Sequence, residues 1–162
     1  KSKHVIDAIK AVEDFFNELN FIIVGDGLIR KELENYIAEK QLNHVQIVGF
    51  KNQQEILNYY LVADAFVLPS NYLETWGLVI NEAMNFNLPV ILSNKVGCAP
   101  DLGTDKNGYI FGLGDVNLLA SKINHLIKNP NIAKQMGVES GELIKNYSYQ
   151  AIIENLIESL NH

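Results

Sequence analysis

The sequence contains a single cysteine, Cys98, among its 162 residues. One cysteine cannot close an internal disulfide, and it cannot by itself supply the ligands of a structural metal site. This composition favours a reducing, cytoplasmic compartment. The sequence also contains no apolar run of about 18 residues, the length needed to span a membrane, and residues 1–10 do not have the pattern of a secretory signal. We therefore expect a cytoplasmic protein with no transmembrane segment, and peripheral association with the cytoplasmic face of a membrane stays open.

Basic residues are too few and too interspersed to form a nucleic-acid-binding surface. Lys and Arg number 13 against 19 Asp and Glu, and the formal net charge is −6. A protein that binds a duplex needs a basic stripe that displaces counterions from the phosphates. Nucleic acid is therefore not expected as a partner. The four histidines show no spacing typical of a metal site.

The apolar residues follow two patterns, which alternate along the sequence. Apolar residues at helical spacing alternate with short continuous apolar runs, and such runs are typical of strands buried on both faces. The predicted helices cover residues 4–19, about 29–37, 53–62, 77–86, about 116–127 with Asp115 as N-cap, 131–145 and 149–161. The predicted strands cover residues 21–24, 45–50, 65–68, 90–93 and 109–111.

Strands that alternate with helices through short loops predict parallel βαβ units. The expected fold class is α/β, with one doubly wound, Rossmann-like parallel sheet. The length predicts one domain over residues 1–162, with C-terminal helices at about 131–161. Because such a unit usually opens with a strand and this chain opens with a helix, we expect the domain to be cut from a longer protein.

The segment after the third predicted strand carries the candidate chemistry, since ligands of such sheets bind beyond the carboxyl ends of the strands. If a helix begins near Gly77, the amides of Leu78 and Val79 have no intrahelical partners, and the helix dipole makes them suitable for a phosphate. Glu82 lies one turn further on, and its side chain leans back toward the helix start. Its carboxylate suits the hydroxyls of a ribose. Glu74, on the loop before the helix, approaches the side on which a sugar would lie.

Glu74 and Glu82, with seven residues between them, resemble the Glu-x7-Glu motif of family 4 (group 1) retaining glycosyltransferases. These enzymes have the GT-B fold, which consists of two Rossmann-like domains. Other segments match the family in kind and order; they are residues 24–27, 63–64, 82–84, 89–91 and 108–112. The chain therefore resembles the C-terminal domain of this family, which binds the nucleotide-sugar donor, over nearly its whole length.

The resemblance implies a role for each site residue. The implied catalytic residues are Glu74, which would orient the transferred sugar, and Lys3, which stands in the place of a lysine that neutralises the departing diphosphate. In the implied donor site, Glu82 would bind the ribose and the amides at positions 78 and 79 the diphosphate. The implied donor-binding residues are Gly25, Gly27, Thr75, Gly77, Leu78, Val79 and Glu82. Pro100-Asp101 departs from the family pattern, which often has a glutamate after the proline.

The resemblance also implies a reaction. The enzyme would transfer a hexosyl group, with retention, from a nucleotide-diphosphate sugar to a glycan or lipid-linked acceptor in polysaccharide or cell-surface glycan biosynthesis. A UDP- or GDP-sugar is the expected donor, and no metal and no other cofactor is expected. The acceptor would bind to an N-terminal domain that this chain lacks, so the isolated domain is expected to bind nucleotide and to transfer nothing.

Alternatives stay open at this stage. Half of a sugar-nucleotide 2-epimerase, or a non-catalytic module that binds nucleotide sugars, would contain the same donor site. Simpler roles are also available for single residues. Glu82 and Lys3 could be solvated, Glu74 could accept hydrogen bonds from loop amides, and Trp76 is expected to pack rather than to stack on a substrate. Residues 25–27 could serve only the turn, with Asp26 as a cap for the next helix.

Overall fold

The computed structural model describes residues 4–160, and within them five strands alternate with eight α-helices. The strands are β1 (Phe21–Val24), β2 (Val45–Gly49), β3 (Phe66–Leu68), β4 (Val90–Ser93) and β5 (Gly108–Phe111). The helices are α1 (Val5–Ala11), α2 (Arg30–Glu39), α3 (Gln53–Val62), α4 (Leu78–Asn85), α5 (Ala99–Leu102), α6 (Val116–Lys128), α7 (Pro130–Ile144) and α8 (Tyr149–Leu160). No helix in this part of the chain is long and apolar enough to cross a membrane.

Most predicted elements are present, and the first helix is the main correction. The sequence predicts a helix over residues 4–19, whereas α1 ends at Ala11. The carbonyl of Val12 accepts a hydrogen bond of 2.8 Å from Nε2 of the buried His44, and the chain continues through turns in which Phe15 N–H bonds the same carbonyl. This tertiary hydrogen bond occupies a carbonyl that a longer helix would have used. The short helix α5, which contains Pro100, is not predicted by the apolar pattern.

All strand pairs are parallel, as the alternation of strands and helices predicts. β1 pairs with β2, and β4 lies between β3 and β5. Among the described residues, no ladder joins the two-stranded group to the three-stranded group. Leu68 of β3 is in register with Leu92 of β4, so the carboxyl ends of these two strands lie side by side. The loops that follow β3 and β4 therefore leave the sheet at the same edge.

Strand β4 is buried on both faces, which confirms the doubly wound α/β fold. Val90 and Leu92 pack into a cluster with Ile80 of α4 and with α5, whereas Ile91 packs on the opposite face with α1 and α6. Alternate residues of a strand point to opposite faces, so helices must cover both sides of this sheet. Asp115 caps α6 as predicted, since its carboxylate accepts the Leu118 N–H at 2.9 Å.

Candidate functional site

The N-terminus of α4 presents backbone N–H groups at the carboxyl edge of the sheet. Gly77 precedes the helix in a left-handed conformation, with φ +97°, and contributes no side-chain cap. No hydrogen bond from the N–H groups of Leu78 or Val79 is found among residues 4–160. Leu78 as a whole residue is 70% exposed. These amides lie at the positive end of the helix dipole, where an anion is stabilised. The amides that the predicted phosphate site requires therefore lie at the start of α4, and phosphate binding there stays a prediction.

Glu82 lies one turn along the same helix, and its carboxylate is hydrogen-bonded to a side chain of α3. The side chain is half-buried, and Oε2 accepts a hydrogen bond of 2.9 Å from the hydroxyl of Tyr60 on α3. Tyr60 is only 5% exposed. Burial, followed by the bond to Glu82, raises the pKa of the Tyr60 hydroxyl above its ordinary value. The phenol therefore stays protonated and remains a donor to the carboxylate.

Sequence analysis missed Tyr60, although the sequence contains a signal. Tyr60 follows Ile56 by one turn on the face of α3 that packs against α4. A tyrosine on the buried face of a helix needs a hydrogen-bond partner for its hydroxyl. That requirement indicates a polar group nearby, but the apolar pattern does not identify which group it is.

The loop that carries Glu74 is held against the loop after β4. The N–H of Gly97 donates to the Glu74 carbonyl at 3.0 Å, and the N–H of Cys98 donates to the Trp76 carbonyl at 3.3 Å. A Cβ atom at position 97 would lie 1.7 Å from the carbonyl oxygen of Thr75. The two backbones therefore approach as closely as only glycine allows. This contact places half-buried Glu74 and exposed Thr75 immediately before the first turn of α4.

Trp76 packs inside the domain, which is the role that sequence analysis favoured. Its indole N–H donates to Oδ1 of Asn81 at 3.1 Å, and its ring lies 5.9 Å from that of Tyr147. Cys98 is fully buried in the same region, and burial raises the pKa of its thiol to about 11. Because the thiolate is the reactive form, this cysteine is inert at neutral pH.

The glycine loop at the end of β1 has its own hydrogen bonds. The N–H of Gly25 donates to the Gly49 carbonyl at 2.8 Å, and the N–H of Gly27 donates to Oδ1 of Asp26 at 2.8 Å. Oδ2 of Asp26 pairs with the Arg30 guanidinium at 2.9 Å. The Gly27 amide and then Arg30 lower the pKa of the Asp26 carboxyl. Asp26 thus stabilises its own loop and does not cap α2, for which no side-chain cap forms.

Comparison with known proteins identifies the family. The family model described as glycosyl transferases group 1 matches residues 1–142 of the chain. The chain belongs to this family. It is a domain of the C-terminal type found in GT-B glycosyltransferases. A glycosyltransferase of uncharacterised activity from Methanocaldococcus jannaschii is 30% identical over 149 residues, which are 92% of this chain and 41% of that protein. The poly(ribitol-phosphate) alpha-N-acetylglucosaminyltransferase of Staphylococcus aureus is 27% identical, over 97% of this chain and 32% of the relative.

Solved structures agree with the group 1 assignment. HepE of Anabaena, solved in complex with UDP, matches with a TM-score of 0.86 and 25% identity, over 98% of this chain and 45% of that one. The sucrose-phosphate synthase of Thermosynechococcus elongatus matches with a TM-score of 0.84 and 26% identity, over 98% of this chain and 42% of that one. This group 1 domain therefore spans less than half the length of the relatives that it matches.

In this group 1 domain, the predicted site residues lie on two separate segments of the chain. Glu74, Thr75 and Gly77 lie on the loop into α4, and Leu78, Val79 and Glu82 follow within its first turns. Gly25 and Gly27 lie apart from them in the chain, on the loop after β1. Lys3 lies outside the described residues. No cluster of three or more candidate metal ligands occurs among residues 4–160.

Proposed function

We propose that this domain binds a UDP-sugar and that the complete enzyme transfers the hexosyl group, with retention, to a glycan or lipid-linked acceptor. The observation that carries the proposal is the start of α4, where the Leu78 and Val79 amides make no hydrogen bond to any described residue. The Glu82 carboxylate one turn later is partly shielded from water. Amides at a helix start suit the diphosphate, and a carboxylate suits the ribose hydroxyls.

The proposed chemistry is the stabilisation of negative charge on the departing diphosphate. Donors that are already directed at that charge need no reorganisation during the reaction, and one such donor contributes roughly 2.7–4 kcal/mol in other enzymes. The amides of residues 78 and 79 would supply this stabilisation, while Glu74 would orient the sugar from the preceding loop. We propose that no divalent metal takes part, so UDP binding should be insensitive to EDTA.

The relatives support three parts of the proposal: UDP as the nucleotide, transfer as the reaction and a cell-surface glycan as the product. The structure of HepE contains UDP, and membership of a transferase family favours transfer over 2-epimerisation. Relatives include the poly(ribitol-phosphate) enzyme named above and a capsular polysaccharide biosynthesis glycosyltransferase of Staphylococcus aureus, 24% identical over 96% of this chain. We propose that the 162-residue chain by itself binds UDP and transfers nothing.

Isothermal titration calorimetry tests the proposal by measuring the affinity of the chain for UDP, GDP and ADP. Glu82→Ala should weaken UDP binding about 10- to 100-fold, because hydrogen bonds to a charged group contribute roughly 1.5–3 kcal/mol. Glu32→Ala removes an exposed glutamate from the first turn of α2 and is the matched control. If Glu82→Ala and Glu32→Ala bind UDP equally well, the site assignment is wrong.

In the complete enzyme, the two glutamates should affect different kinetic constants. Glu82→Ala should mainly raise KM for the donor, because it removes a contact made in the ground state and in the transition state alike. Glu74→Ala should mainly lower kcat, because the proposed contact orients the reacting sugar. Steady-state kinetics with a UDP-sugar separate the two effects. The same change in both constants for both variants would contradict the proposed roles.

A further inference from the structure

The Tyr60 side chain is rigidly held between two aromatic rings. Its ring stacks on Phe86 at 5.5 Å between centroids with an interplanar angle of 27°, and it lies 6.1 Å from Phe66. With Ala83 of α4 and Leu88, Tyr60 forms the buried apolar cluster that joins α3 to α4. Packing on several sides fixes the ring, so the position of its hydroxyl is also fixed.

A hydroxyl in this cluster has no packing purpose, because phenylalanine would fill the same space without a buried polar atom. Burial of a hydroxyl is unfavourable unless a partner compensates for the lost water. Here the partner is Oε2 of Glu82, at 2.9 Å. No hydrogen bond to Oε1 is found within the described ranges. The bond from α3 therefore holds one carboxylate oxygen and leaves the other available.

We propose that Tyr60 is a positioning residue of the nucleotide site, which orders the Glu82 carboxylate so that Oε1 meets the ribose hydroxyls. This inference rests on the proposed function. A glutamate side chain has several rotatable bonds, and ordering it when a ligand binds lowers affinity. Tyr60 makes that ordering a property of the free protein. Tyr60 itself lies behind the carboxylate and need not touch the ligand.

The test compares UDP with 2′,3′-dideoxy-UDP, which lacks the ribose hydroxyls from which Glu82 would accept hydrogen bonds. The ratio of the two Kd values reports the contact between carboxylate and ribose. Tyr60→Phe keeps the ring in its cluster and removes only the hydroxyl. It should weaken UDP binding about three- to tenfold, the range expected for ordering one flexible side chain. The ratio of the Kd for 2′,3′-dideoxy-UDP to the Kd for UDP should fall toward the ratio measured for Glu82→Ala. The melting temperature should change little.

The control is Tyr59→Phe, which alters the neighbouring residue of α3. Tyr59 lies beneath the Lys51 ammonium, 5.9 Å from the ring centroid, and contacts that charge rather than Glu82. This variant should bind both nucleotides as the wild type does. An equal loss of affinity for both nucleotides in Tyr60→Phe, or failure of that variant to fold, would show a structural role only and overturn the inference.

Two further outcomes separate this inference from the function on which it rests. If Glu82→Ala weakens UDP binding and Tyr60→Phe does not, the positioning role is wrong and the donor site stands. If the wild-type chain does not bind UDP, the proposed function fails and the inference fails with it.

Discussion

Because of its close contact with Thr75, Gly97 is the glycine near the site at which an added side chain should be tolerated least. A Cβ atom there would lie 1.7 Å from the Thr75 carbonyl oxygen and 2.5 Å from the carbonyl carbon. The obstacle is backbone, which cannot rotate away as a side chain can. Gly97→Ala must therefore push the loops after β3 and β4 apart by about 1 Å or more. That movement stretches the two hydrogen bonds that join the loops, Gly97 to Glu74 and Cys98 to Trp76.

The expected loss of stability follows from these contacts. Two weakened backbone hydrogen bonds cost roughly 0.5–1.5 kcal/mol each, and the steric strain of an overpacked site costs roughly 1–3 kcal/mol. These contributions total roughly 2–6 kcal/mol, and we expect Gly97→Ala to lower the free energy of unfolding by about 3 kcal/mol, in the lower half of that range. For a chain of this length, that corresponds to a fall in Tm of roughly 6–12 °C. UDP affinity should fall as well, because the displaced loop carries Glu74 and Thr75.

Thermal unfolding followed by far-UV circular dichroism measures the effect. Gly112→Ala is the matched control, because a Cβ atom at position 112 would meet only the Asp115 Cβ at 3.8 Å, an ordinary contact. The control should melt close to the wild type. If Gly97→Ala melts within about 2 °C of Gly112→Ala, the close contact does not constrain the loops and the reasoning is wrong.

Two further predictions concern titrating groups. Burial raises the pKa of the Cys98 thiol to about 11, so Cys98 should not react with DTNB in the folded protein at pH 8. It should react at once when the protein is unfolded in urea. Fast labelling of the folded protein would contradict the burial of this residue. The hydrogen bond to Glu13 raises the pKa of Tyr36 to about 12, from 10.0. Because the folded pKa is raised, this bond stabilises the protein fully below pH 10 and is lost as the pH rises toward 12. The free energy of unfolding should therefore exceed that of Tyr36→Phe at pH 8 and equal it near pH 12; a difference that does not change with pH would contradict this.

Local patterns in the sequence are sufficient to predict most of the fold. The bounds of α3, 53–62, are those expected from the apolar spacing, and Asp115 caps α6 as predicted. Such features depend on residues within one or two turns of each other, so a local pattern contains them. The start of α4 is predicted for the same reason, since Gly77 and the amides that follow it are neighbours in the chain.

Tertiary contacts decide the features that local patterns do not contain. Helix α1 ends at Ala11 because His44, distant in sequence, binds the Val12 carbonyl. The distance between Gly97 and Thr75 depends on the adjacent exit of two strands from the sheet.

The sequence alone therefore determined the α/β class, the order of most of its elements and the start of α4 next to Gly77. Only the tertiary structure decided that the Glu82 carboxylate is held by Tyr60, 22 residues earlier in the chain. The physical reason is that a hydrogen bond between two helices depends on how those helices pack, and no local pattern specifies that packing.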